Sequence, residues 1–167
     1  MKFFKAMMAV CLACVLSACS KPQYTQTDIT VDELIEMEEK GEDFILLVER
    51  DQCPFCEALN EYIQETKQDH PDVKVYRIDT TNFDLKKVNQ EDKTLVSTSE
   101  EGQKFLKEIP YFLYTPAIYR YEDGVAKDAG LGFGTQDQTV SLWDVDSTVD
   151  FDTAKTVPVW DYLEGKE

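Results

Sequence analysis

Residues 49–60 read ERDQCPFCEALN, with Cys53 and Cys56 three positions apart and Pro54 and Phe55 between them. Four chemistries use such a pair: a redox couple, half of a metal site, a haem attachment or a structural staple. The flanks bear on the choice. Immediately before the pair, DFILLVE (43–49) is a short continuous apolar run, the pattern of a central strand buried on both faces. Immediately after it, Phe55, Leu59, Tyr62, Ile63 and Thr66 mark one face of a helix, and Pro54 suits its first turn. The loop QDHPD ends that helix, and VKVYRID (73–79) alternates as a strand. Upstream, ITVDELIEMEEKG reads as a helix, with Thr30 and Glu33 forming a capping box and Gly41 as its stop. The order helix, strand, CxxC, helix, strand implies a parallel β-α-β unit with a right-handed crossover.

Haem attachment needs a histidine directly after the second cysteine, and that position is Glu57. A tetrahedral zinc or iron–sulfur site needs four ligands. Beyond the N-terminal segment there is no second CxxC, and the single histidine, His70, sits in a polar loop beside Pro71. His70 is expected at the surface. A Cys–His nucleophile stays open as an alternative, although it leaves Cys56 without a purpose. A staple closing so short a loop constrains the unfolded chain little. The redox reading uses both thiols. A cysteine at a helix N-terminus lies among unpaired N–H groups at the positive end of the macrodipole, which favours thiolate over thiol. Cys53 is then the attacking sulfur and Cys56, one turn on, the resolving one.

The segment MKFFKAMMAVCLACVLSACS has a positive start in Lys2 and Lys5 and an uncharged apolar stretch from Ala6 to Ala18. It is too short for an ordinary bilayer span and ends in small residues. Leu16-Ser17-Ala18-Cys19 resembles the bacterial lipobox, in which the cysteine carries lipid and becomes the first mature residue. A plain secretory signal or short anchor is the alternative. Residues 1–18 are thus expected to be a lipoprotein signal peptide, 19–29 a polar tether and 30–167 one domain. Losing Lys2 and Lys5, with no acid in that segment, takes the net charge from −16 to −18. Such a charge argues against nucleic acid or an anionic membrane surface as partner. Export places the chain where disulfides form and persist.

Residues 80–108 are polar and less regular, with a short helix expected near 99–108. PAIYRYEDGVAKDAGLGFG (116–134) reads as a hairpin with strands 117–122 and 125–129 about the turn Glu122-Asp123-Gly124. Residues 135–152 are acidic and turn-rich and are expected to be a loop insertion, and a last helix is expected around 157–164.

Strand, CxxC at a helix start, helix, strand, then Thr115-Pro116 leading into AIYRYEDG resembles the thioredoxin family over roughly residues 30–165. The resemblance implies an α/β, thioredoxin-like fold, a central mixed β-sheet flanked by helices, with insertions at about 80–108 and 135–152. It places a cis peptide at Thr115–Pro116 rather than at Ile109–Pro110, with Pro116 beside the cysteines and the Thr115 backbone pairing with the substrate chain. Thr115, Pro116, Pro54 and Phe55 are the implied substrate-binding residues. Within the family, VERDQCPFC is most similar to the lipid-anchored or secreted group that includes bacteriocin transport accessory proteins. Three positions depart from thioredoxins proper. Leu47 stands where they carry a buried Asp, Gln52 where they carry Trp, and Pro-Phe where they carry Gly-Pro. Glu49 and Glu57 are the remaining carboxylates near the pair, Glu49 being expected to face water at a strand end.

The expected activity is thiol–disulfide exchange by Cys53 and Cys56, catalysed on the outer face of the membrane by a chain tethered through Cys19. Its expected partners are exported proteins or peptides and a redox partner protein, with no nucleic acid. No metal is expected, and no cofactor beyond the Cys53–Cys56 disulfide. The rival reading is a non-catalytic thioredoxin-fold lipoprotein serving as an accessory or binding subunit of an exporter.

Overall fold

The computed structural model of the protein describes residues 23–89, 91, 93–145 and 149–166. The predicted signal segment and Cys19 lie outside the described residues.

Thr30 caps the first helix, α1 (Val31–Glu39). Its hydroxyl accepts from the Glu33 backbone N–H at 3.2 Å, and the Glu33 carboxylate accepts from the Thr30 N–H at 2.7 Å. The Thr30 N–H, with the Thr30 hydroxyl donating to the same carboxylate at 3.0 Å, holds the Glu33 carboxyl below the usual range. The apolar run that follows becomes β2 (Phe44–Glu49), the centre of a seven-stranded sheet. Four further elements surround it: α2 (Pro54–Thr66), β3 (Lys74–Asp79), β6 (Ala117–Glu122) and β7 (Val125–Gly134). Strand β2 pairs parallel with β3 and antiparallel with β6, with Leu47 opposite Ile118 and Val48 opposite Ala117. Leu46 packs with Val31, Leu34 and Phe105 on one face, whereas Leu47 packs with Leu59 and Ile63 on the other. Burial on both faces is why the strand reads as an unbroken apolar run.

The β6–β7 turn has Asp123 at φ +52° and Gly124 at φ +72°. Two successive positive φ values match the twist of the strands and suit Asp-Gly. A Cβ on Gly124 would lie 2.2 Å from the Glu38 carbonyl oxygen, so the turn also requires glycine for space.

The structure corrects four expectations. The stretch read as tether contributes a strand, β1 (Thr25–Asp28), which pairs in parallel with the edge of β3. Strand β7 runs on to Gly134 rather than ending at 129. The region 135–152 is not only a loop: β8 (Thr139–Trp143) adds to β7, and Val140 and Trp143 are buried. The last helix, α4 (Val159–Leu163), is shorter than expected, because Val157 belongs to β9 (Thr156–Pro158) opposite Val140. Strand β8 has two buried residues, Val140 and Trp143, three positions apart in an acidic stretch, so no period-2 alternation marks it in sequence. The segment 80–108 forms a small antiparallel pair, β4 (Leu85–Lys86) and β5 (Val96–Ser97), followed by α3 (Glu100–Glu108), whose Phe105 is fully buried. The sheet order is β1-β3-β2-β6-β7-β8-β9. Residues of α1 and α3 pack on one face of the sheet and residues of α2 and α4 on the other.

Candidate active site

Strand β2 ends at Glu49, and Gln52 at φ +54° turns the chain into α2. The end of β3 holds that turn. Thr80 donates its N–H (2.8 Å) and its hydroxyl (2.9 Å) to the Glu49 carbonyl, and the Asp51 N–H donates to the Thr81 hydroxyl at 2.7 Å. Cys53 is therefore delivered as the N-cap of α2, with Pro54 in the first turn, where its missing N–H costs nothing. Cys53 and Cys56 form a disulfide. The Cys56 N–H donates to Cys53 Sγ at 3.2 Å, so one of the helix's free N–H groups already points at that sulfur.

The Thr115–Pro116 peptide is cis. Thr115 lies against Cys53 Sγ: its hydroxyl donates to the sulfur at 3.4 Å, and its carbonyl oxygen lies 3.5 Å away. An oxidised Sγ carries no hydrogen, so that carbonyl becomes a true acceptor only when Cys53 is reduced to the thiol. Pro116 is held from the other side, its carbonyl accepting from the Gly132 N–H at 2.9 Å. Cys53, Pro54, Phe55 and Thr115 thus meet at one place, with Phe55 56% exposed and both cysteines 3% exposed. Cys53 nevertheless borders a cleft of about 700 Å³ together with Arg50, Gln52, Lys86 and Thr115, and Cys56 does not. The fold is thioredoxin-like.

No family model matches the chain, and no curated protein matches it. Solved thioredoxins are similar to it at low identity. Thioredoxin O2 from Arabidopsis thaliana in the oxidized state is 14% identical, covering 66% of this chain and 85% of that one, with a TM-score of 0.44. Thioredoxin F from spinach chloroplast is 13% identical, covering 66% and 84%, with a TM-score of 0.45. Thioredoxin from Trypanosoma brucei brucei is 11% identical, covering 69% and 83%, with a TM-score of 0.45.

Glu49 corrects another expectation. It does not face water but is 1% exposed, with its carboxylate accepting from Asn60 Nδ2 and from Arg77 Nε, each at 2.8 Å. Arg77 continues to Asp28 at 3.1 Å, so one guanidinium joins β1, β3 and β2, and the Glu49 carboxylate links them to α2. Burial opposes the charge on Arg77, but the bonds to Glu49 and Asp28 outweigh it and hold its pKa above the usual value. Burial, with the Glu49 charge beside it, pushes the Tyr24 phenol up to about 12. Asn60 stands one helical turn beyond Cys56, a spacing that the sequence contains, but no local signal in it names Asn60 as Glu49's partner. Glu57 lies exposed on the first turn of α2. Leu47, in the position where thioredoxins carry an acid, is 1% exposed in an apolar cluster.

His70 is not part of the site. Its ring stacks on Trp160 at 3.9 Å, and its Nδ1 lies 2.9 Å from Glu164 Oε1, which ties the α2–β3 loop to the C-terminal helix. Among the described residues, no group of three or more His, Cys, Asp or Glu gathers to hold a metal ion.

Proposed function

We propose that the protein is a membrane-tethered, extracytoplasmic thiol–disulfide oxidoreductase that acts through Cys53 and Cys56 on exported proteins or peptides. One observation carries the chemistry: the Cys53–Cys56 disulfide caps α2 with Thr115 in contact with Cys53 Sγ. In the reducing direction the Cys53 thiolate attacks a substrate disulfide. A Cys53–substrate bond forms and one substrate thiolate leaves. Cys56 then attacks Cys53 Sγ, the second substrate thiolate leaves, and the protein is left with the disulfide, two electrons having passed to the substrate. In the oxidising direction a substrate thiolate attacks Cys53 Sγ from the cleft and Cys56 is the leaving group. Relative reduction potentials set the direction, and a redox partner protein restores the starting state. The Cys56 N–H and the Thr115 hydroxyl supply the donors that favour a Cys53 thiolate.

The outer-face location rests on the export segment and on Leu16-Ser17-Ala18-Cys19. It is tested by detergent partitioning of the mature protein, which Cys19→Ala should abolish.

The activity is tested by equilibrating the protein with dithiothreitol or glutathione buffers and counting alkylated thiols by mass. A single two-electron transition at Cys53/Cys56, together with turnover of a disulfide-bonded protein substrate, is expected. A pair that stays oxidised throughout, with no turnover, would refute an enzymatic role.

A further inference from the structure

On the other side of Thr115 from the Arg50/Lys86 cleft, β7 kinks. Ala129 and Leu131 face the α1/α3 side of the sheet, but Phe133 faces the α2/α4 side, where its ring meets Tyr62 at 5.7 Å. Gly132, at φ +68°, makes the change of face inside a bulge where the register to β8 shifts. The kink opens a hollow of about 430 Å³ walled by Phe55, Tyr114, Thr115, Leu131, Phe133 and Phe151. A Cβ built on Gly132 meets nothing nearer than the Phe151 ring at 3.9 Å, so the floor of the hollow is bare backbone. Among the described residues no charged side chain lines it, although 30% of the chain's residues are charged.

Two of the large apolar side chains left exposed, Phe55 at 56% and Phe151 at 45%, stand on the rim of this hollow. Phe151 is held there edge-on against Tyr114 at 5.0 Å. Thr115 belongs to both the hollow and the cleft, and it touches Cys53 Sγ. Continuity with the reacting sulfur decides the occupant. A polypeptide bonded to Cys53 must pass Thr115, which borders the hollow, so the residues that reach it are the few flanking the bonded cysteine, at roughly 3.3 Å per extended residue. A charged side chain would lose its water there and find no charged partner among the described residues, whereas an apolar one would bury surface on both rim rings.

We infer that the hollow is a specificity subsite taking one bulky aliphatic or aromatic side chain of the substrate polypeptide, carried within three residues of the cysteine that bonds to Cys53. The subsite rests on the oxidoreductase reading and names its substrate class. Leu131 and Phe133 wall it on either side of the Gly132 backbone, and Phe151 closes it.

The test uses the reduced full-length protein and synthetic peptides in which a single cysteine is held as a mixed disulfide with glutathione. Each of the three positions on either side of that cysteine is varied among Ser, Glu, Leu and Phe. Cys53 attacks the mixed disulfide and Cys56 resolves it, so peptide and glutathione leave as thiols while the two protein cysteines become the disulfide. The readout is the second-order rate of protein oxidation, with glutathione disulfide as a substrate lacking any apolar side chain. Leu or Phe at one position should react about tenfold faster than Ser or Glu, the order expected for one apolar side chain in a pocket. Phe151→Ser, at an exposed position, and Thr156→Trp, which fills the hollow from β9, should each erase that difference and leave the glutathione disulfide rate unchanged. Equal rates for all peptides, or a preference that survives both substitutions, would overturn the subsite while leaving the oxidoreductase reading intact. A wild-type dimer that Phe151→Ser converts to monomer would also overturn it, by assigning the hollow to a second copy. No reaction with any peptide or with glutathione disulfide would overturn the oxidoreductase reading, and the subsite with it.

Discussion

The hydroxyl of Thr115 donates to Cys53 Sγ at 3.4 Å across a sequence separation of 62 residues. Together with the Cys56 N–H, it gives that sulfur two donors, one from each side of the site. A hydrogen bond to a charged group contributes about 1.5–3 kcal/mol, and this one is long, so about 1 kcal/mol is a fair scale. Thr115→Val removes the donor and keeps the shape. In the reduced protein it should raise the Cys53 thiol pKa by somewhat under one unit, read from the pH dependence of iodoacetamide alkylation. The reduced state loses that stabilisation at neutral pH, so the reduction potential should fall by up to about 30 mV. Thr115→Ser should behave as wild type, and an unchanged alkylation profile in Thr115→Val would show that the contact is idle.

The two cysteines should not be equivalent. Each is 3% exposed, but only Cys53 borders the cleft. Cys56→Ser leaves the attacking sulfur in place and removes the one that resolves it, so mixed disulfides with substrates should accumulate. Cys53→Ser leaves a thiol that substrate does not reach, and few adducts are expected. Non-reducing electrophoresis after acid quench measures both, and comparable adduct yields from the two variants would reverse the assignment of roles.

The turn between β6 and β7 offers a stability test of a feature legible in four letters, YEDG. At Gly124 (φ +72°) a Cβ would meet the Glu38 carbonyl oxygen at 2.2 Å, and the glycine N–H donates to the Glu42 carbonyl at 3.1 Å. Gly124→Ala therefore adds left-handed backbone strain of about 1–2 kcal/mol to a contact with backbone that cannot swing aside. The urea midpoint should fall by the equivalent of about 2 kcal/mol or more with little change in m. A shift below about 0.5 kcal/mol would mean that the hairpin end is loose.

What could be read in the sequence was local or strongly patterned. The capping box at Thr30 and Glu33, the doubly buried run of β2, the Asp123-Gly124 turn and the cysteine pair at a helix start each lie within a few residues, and each forms. Strand β1 escaped because TQTD has no buried alternation; among the described residues its lateral partner is β3, 49 positions downstream in the register Thr25 to Lys74. Strand β8 escaped because its burial depends on β7 running past a bulge at Gly132, which no local signal announces. The carboxylate beneath α2 escaped for a related reason. An acid at a strand end ordinarily faces water, and nothing near Glu49 in sequence shows that Arg77 and Asn60 converge on it.

That convergence yields the last prediction. Glu49 is 1% exposed and acceptor-only when ionised, and both of its oxygens are used, one by Asn60 and one by Arg77. Glu49→Leu keeps the burial but strands two donors. Breaking a fully buried ion pair costs about 3–5 kcal/mol. Arg77, however, is 22% exposed and keeps Asp28 at 3.1 Å, so it can recover solvent and a second partner. The expected loss is therefore smaller, about 2 kcal/mol by urea denaturation. Glu49→Gln retains an acceptor and the side-chain volume and should lose about half as much. Asn60→Ala removes only the α2 bond, leaves Glu49 paired with Arg77, and should cost about 1 kcal/mol. Because the Asn60 side chain is bonded, among the described residues, to Glu49 alone, Glu49→Leu/Asn60→Ala should cost less than the two single losses added, a coupling of about 0.5–1 kcal/mol. Additive losses would show that the Glu49–Asn60 bond does not hold α2, leaving Arg77 as the acid's only working partner.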